Sequence, residues 1–203
     1  MVLKNIGAYP QVCFEILADL EEKLPDHLEY HCLEHTLDVA NICEFYIKYF
    51  DLPKDQADLL RIAAIGHDYG YIESPTEHER NSVDKLRPLL EKHGYSEDDI
   101  EMIGGMIMAT KIPQTPKNFF EEILADADLD YLGRKDYDKL SSRLLQEFFH
   151  YNVVKNQREW LDAQINFLEN HKYHTEIAQE KRNKSKFEKL KQLKGERLAY
   201  NGN

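Results

Sequence analysis

The chain lacks any apolar run near the roughly 18 residues that a membrane helix needs, so no membrane-spanning segment is expected. It also lacks a CxxC pair. Cys13, Cys32 and Cys43 are scattered, which suits a reducing compartment better than a disulfide framework. The stretch MVLKNIGAYPQVCFEIL reaches Glu15 before any long apolar block, so it has no signal-peptide core. Cytoplasm is the expected location. Cationic charge is in short supply too. With 26 Lys/Arg against 37 Asp/Glu the net charge is −11, and a nucleic-acid polymer, whose binding needs a cationic surface to release counterions, is not an expected partner. The shortage is uneven: residues 172–197 hold nine Lys/Arg against four Glu, so this tail carries +5 and the rest −16. Runs of alternating β-branched residues are missing as well, which argues against a sheet.

What the chain does have is apolar residues at three- and four-residue steps, so the expected class is all-α. At 203 residues it can form one domain with a helical appendage. The division expected is a helical domain over 1–175 and a basic C-terminal helix over 176–203. Leu33, Leu37, Val39, Ala40, Ile42, Phe45, Tyr46 and Ile47 predict a helix over about 31–50. Pro53 then suits the first turn of another, running to Gly66. Thr76 followed by Glu79 has the form of a capping box, His93-Gly94 reads as a helix stop, and Ser96 followed by Asp99 opens another helix that fades near Thr110. KIPQTPKN, with Pro113 and Pro116, must be a loop. Three more helices are expected over about 119–132, 136–151 and 155–170, and a last one carries the basic tail.

Three places set ionisable groups inside apolar helical surroundings. In YHCLEHTLDV, His31 and His35 are four apart and share a helix face. In AAIGHDYGY, His67 and Asp68 are adjacent between Gly66 and Gly70. In ILADADLDYLG, Asp126, Asp128 and Asp130 interrupt Ile123, Leu124, Leu129 and Leu132. Taken singly, each has an ordinary structural reading: a core histidine, a turn with Gly70 supplying positive φ, a negatively charged helix start. Together they supply the imidazole and carboxylate donors that a divalent transition metal accepts. Neighbours on a regular helix are about 100° apart, so His67 and Asp68 can face one ion only where the helix ends.

The order His35, His67-Asp68, then an Asp of DADLDYLG resembles the H…HD…D signature of the HD-domain superfamily of metal-dependent phosphohydrolases. The likeness covers about residues 28–135. It implies an all-α, HD-domain-like helical bundle around a divalent metal, and hydrolysis of a phosphate ester. Carried over by position, the ligands are His35, His67, Asp68 and Asp126. Helix geometry leaves Asp126 and Asp130 both open and turns Asp128 about 200° away from Asp126; the family pattern, in which the first acid of such a run is the ligand, selects Asp126. Asp130 is then expected to orient a ligand histidine. Dinuclear relatives, oxygenases among them, insert two further histidines before the last Asp. Here only His78 and His93 fall in that interval, and Ala109 and Thr110 stand where another would fall, so one metal is expected: Mn, Fe, Co, Ni or Zn.

The resemblance also suggests catalytic and substrate-binding residues. His31 resembles the general acid of HD-type cyclic-nucleotide phosphodiesterases, although Cys32 follows where that group has Asn. Glu79 is the second candidate for proton transfer. Lys111, and Arg182 with Lys186 on one face of the last helix, are the cations that could hold a phosphate. The expected enzyme is a metal-dependent phosphoric ester hydrolase acting on a small phosphorylated metabolite, nucleotides included, through a metal-activated water; the alternative is a non-catalytic nucleotide-binding sensor with the same pocket. Nothing in the sequence opposes a homo-oligomer.

Overall fold

The computed structural model describes residues 2–200, with side-chain detail to residue 199. Among these residues there are nine α-helices and no strand, so the chain is all-α. No described helix is long and apolar enough to cross a membrane. The chain forms two compact units, residues 1–128 and 129–203. In the second unit the basic helix, Glu176–Tyr200, packs on the helix Gln157–Asn170 and on the 3-10 turn Asp130–Gly133.

The first unit contains α1 (Gln11–Lys23), α2 (Leu33–Tyr49), α3 (Lys54–Gly66), α4 (His78–Lys92), α5 (Glu97–Met108) and α6 (Phe119–Asp128). Its centre is α3, which touches α1, α2, α5 and α6. Residues 59 to 66 of that helix are all buried, and a helix covered on every side belongs inside a core. One polar residue shares the burial. Arg61 is held by Glu44 of α2 and by Asp58, the latter at 3.0 Å, as burial of a guanidinium requires. The three cysteines are free, and burial pushes the Cys13 thiol up to about 12, marking it as a packing residue.

Most helix boundaries follow the sequence signals. Ser96 opens α5 as expected, and with Asp99 it makes a reciprocal capping box; Gly94 takes the left-handed conformation just after α4, at φ 81°. Pro53 is the residue before α3 rather than its first. Thr76 does not cap α4. The helix starts two residues later, with Glu77 as its N-cap in a left-handed conformation and no side-chain cap bond. Glu79 therefore occupies the first turn as a buried side chain instead of closing a capping box.

The second unit contains α7 (Tyr137–His150), α8 (Gln157–Asn170) and α9 (Glu176–Tyr200). Leu145, Val154 and Trp160 form a core cluster there, with Leu144, Phe148 and Ala163 against it. The cationic residues of α9 meet carboxylates of the same unit: Lys189 with Asp138 at 2.9 Å, Lys194 with Glu169, and Arg197 with Asp162. Arg182 grips Asp130 with two bonds, of 2.7 and 3.0 Å. At that crossing Gly133 admits no side chain, since a Cβ would lie 2.6 Å from the Arg182 carbonyl oxygen. Asp130 is 4 % exposed, so Arg182→Met leaves a buried carboxylate with only the longer pair to Arg134, at 3.6 Å. Breaking a buried pair from one side costs about 3 kcal/mol when no partner remains, and the loss here should stay below that. Urea unfolding should show that loss, with metal content of the folded protein unchanged.

Candidate metal centre

The central helix α3 ends at Gly66, and the backbone changes course over the next two residues. His67 is still helical, at φ −60°, ψ −36°, whereas Asp68 lies at φ −101°, ψ 10°. The latter is the bridge region, sparsely populated and frequent in active sites. A 3-10 turn, Tyr69–Ile72, follows. This break lets two consecutive side chains converge.

They converge on His35, from the first turns of α2. His35 Nε2 stands 3.3 Å from His67 Nε2 and 3.5 Å from Asp68 Oδ2, while His67 Nε2 is 3.3 Å from Asp68 Oδ2. The second carboxylate is that of Asp128, the last residue of α6. Its Oδ1 lies 3.1 Å from His35 Nε2 and 3.5 Å from His67 Nε2. The group of mutually close donors is His35, His67 and Asp128. Asp126 is fully buried but is not part of it. The helix phase expected from the sequence is thus corrected by one half-turn: the structure brings Asp128, not Asp126, to the histidines.

These distances suit a metal. For bonds of about 2.1 Å, neighbouring donors stand about 3.0 Å apart at right angles and about 3.4 Å apart at tetrahedral ones. Asp68 Oδ2 is buried and accepts no hydrogen bond, a costly condition that a bound cation relieves. His67 Nδ1 lies 2.9 Å from the Ala64 carbonyl oxygen; that contact keeps a proton on Nδ1, so the proton a metal would displace is the one on Nε2. Burial opposes charge on His67, but Asp68 and Asp128 outweigh it and hold its pKa well above the usual range. Burial likewise opposes charge on the two carboxylates, and the histidines overcome it, so both stay ionised far below their ordinary range.

The turn after the donors is keyed to α4. Ser82 Oγ donates to the His67 carbonyl at 2.8 Å and accepts from the Gly70 N–H at 2.7 Å. Gly70 does not take the positive φ of the plain-turn reading; its role is close approach to the first turn of α4. That contact brings His78 and Glu79 to the other side of Asp68. His78 Nε2 is 3.5 Å from Asp68 Oδ1 and 3.5 Å from Glu79 Oε1. His31 stacks on Tyr71 at 4.3 Å, and Tyr71 packs against His78 at the same separation. The charge of His31 also reaches Asp68.

Lys111 is bound by Glu77, at 2.6 and 2.8 Å. Arg182 is committed to Asp130, which accepts from it rather than orienting a ligand histidine. Lys186 donates to the His171 carbonyl and sits 3.1 Å from His171 Nδ1. His93 lies against Glu15 at 2.8 Å. His78, not expected at the site, is the residue sequence reasoning passed over, although it is one of the two histidines that fall between the His-Asp pair and the last aspartates.

An all-α chain whose central helix ends in a His-Asp pair, joined by a histidine from one helix and an aspartate from another, defines a class of metal-centre proteins. Comparison with protein families matches residues 32–192 to the HD domain. The chain belongs to the HD-domain family, whose members are generally metal-dependent hydrolases. Comparison with curated proteins returned no match.

Proposed function

We propose that the protein is a metal-dependent phosphohydrolase that cleaves a phosphate ester of a small metabolite, nucleotides included. The observation that carries this reading is the set of donor atoms at metal-polyhedron spacing, with Asp68 Oδ2 buried and accepting no hydrogen bond. His35, His67, Asp68 and Asp128 would hold one divalent transition metal, Mn, Fe, Co, Ni or Zn. Bound there, the ion supplies Lewis acidity and makes a water acidic enough to attack.

The remaining work belongs to the chain's own groups. The Ala64 carbonyl keeps a proton on His67 Nδ1, so Nε2 is the nitrogen whose proton a metal would displace. On the Oδ1 side of Asp68, Glu79 Oε1 and His78 Nε2 form a titratable edge, where Glu79 can hold the proton that a leaving oxygen takes up. His31, fixed by its stack on Tyr71, is the second carrier. Lys111 is the cation for the substrate's phosphoryl oxygens. Carboxylates surround the centre, so a substrate anion is drawn in by the metal and by Lys111 and repelled elsewhere.

Metal analysis of the purified chain should return about one transition ion per chain. A screen of phosphorylated metabolites with Mn, Co or Ni added should find turnover. A chain that holds no transition metal and stays inactive after their addition would sink the reading. Metal with nucleotide binding but no turnover would establish the non-catalytic sensor instead.

A further inference from the structure

Residues 1–128 contain 11 Lys/Arg and 26 Asp/Glu, a net charge of −15. Asp68, Asp128 and Glu79 crowd the centre itself, so an incoming anion depends on each cation the rim can offer. Lys111 comes from the loop after α5, and its charge is raised in pKa by Glu77 first and by Glu79 as well. Its bonds to Glu77 hold it at the residue that directly precedes His78 and Glu79. Yet its ammonium is taken, by both oxygens of Glu77.

Glu77 is an odd residue to find there. Its backbone is left-handed, φ 54°, ψ 34°, a conformation that a side chain such as Glu adopts only when its surroundings impose it. It directly precedes His78 and Glu79, the pair beside Asp68. The ion pair is open to solvent, with the two side chains 40 % and 59 % exposed. An exposed pair is weak and exchanges easily. A carboxylate and a phosphoryl group present an ammonium with the same kind of acceptor.

We propose that Glu77 is an internal competitor of the substrate: its carboxylate occupies Lys111 in the free protein and yields it to the phosphoryl oxygens of the bound ester. The inference rests on the phosphohydrolase reading for the identity of that anion. Glu77 sets how tightly phosphate is held, and it keeps Lys111 aimed at the rim between turnovers. It also selects for charge, because a neutral ligand gains nothing by displacing it.

The test is calorimetric titration of the full metal-bearing chain with inorganic phosphate at low ionic strength. Glu77→Gln should tighten phosphate about three- to five-fold, the worth of an exposed ion pair. Glu77→Asn, which suits the left-handed backbone better, should do the same without loss of thermal stability. Lys111→Met should weaken phosphate, and Glu77→Gln added to Lys111→Met should then change nothing. If phosphate binds the wild type but Glu77→Gln and Glu77→Asn leave it unchanged or weaken it, Glu77 is a strut and the proposal is overturned while the phosphohydrolase reading stands. A wild type that neither binds phosphate nor hydrolyses any ester overturns both.

Discussion

Asp128→Asn is expected to lower affinity for the transition metal by at least about 100-fold, more than loss of an outer-shell partner costs. The amide keeps the volume and the helix end but presents a neutral oxygen to an ion that needs charge. Asp128 Oδ1 is the carboxylate atom nearest to His35 Nε2, at 3.1 Å, and it also faces His67. Without it the site keeps two imidazoles and Asp68. Asp126→Asn is the paired control. Its side chain lies in the same helix, fully buried and outside the donor group, so metal content should persist. Metal per chain and helicity by circular dichroism are read together, which separates a lost ligand from a lost fold. If Asp126→Asn empties the site and Asp128→Asn does not, the assignment of α6 is wrong by half a turn.

The family pattern selected the other acid, and nothing in the spelling of α6 opposed it. The spelling Asn118-Phe119-Phe120-Glu121 marks its start well: Asn118 Oδ1 accepts from the Glu121 N–H, and its side-chain amide donates back to the Glu121 carboxylate. What the spelling lacks is a phase. Ile123, Leu124, Ala125, Asp126 and Ala127 are all buried, so no apolar stripe distinguishes the side facing the histidines from its opposite. Only the packing of α6 against α2, α3 and α5 decides it. By contrast His35, His67 and Asp68 were singled out because imidazole and carboxylate donors in apolar helical surroundings, ordinary one by one, together follow the family's H…HD…D order. His78 was not, since its approach to Asp68 depends on a tertiary contact across the turn. The basic tail shows the same limit. Its charge was plain in the composition, but its carboxylate partners Asp130, Asp138, Asp162 and Glu169 are 25 to 52 positions away along the chain, and no local pattern names them.

Gly70→Ala is the substitution expected to disturb the fold most for the fewest atoms added. A Cβ at that position would stand 2.1 Å from the His78 carbonyl oxygen, 2.7 Å from the Ser82 nitrogen and 2.8 Å from Asn81 Cβ. Two of those three neighbours are backbone of α4, so no rotamer change relieves the overlap and the helix must move away. Moving it breaks the Gly70 N–H bond to Ser82 Oγ and loosens the bond that Oγ donates to the His67 carbonyl. Overpacking alone costs about 1 to 3 kcal/mol, and each buried polar group left unpaired adds about 1 to 3 kcal/mol, so the loss should exceed about 3 kcal/mol. The site suffers with the fold, because His78 and Glu79 ride on the displaced turn and His67 loses the clamp on its carbonyl. Metal affinity should therefore fall even in the fraction that remains folded. Gly195→Ala calibrates the measurement. Gly195 lies inside α9 with nothing within 4 Å of its Cβ position, and alanine there should stabilise by up to about 1 kcal/mol through helix propensity. Chemical unfolding of the two variants beside the wild type reads both signs in one experiment. A Gly70→Ala protein as stable as the wild type, with its metal in place, would mean that α4 does not key into the His-Asp turn.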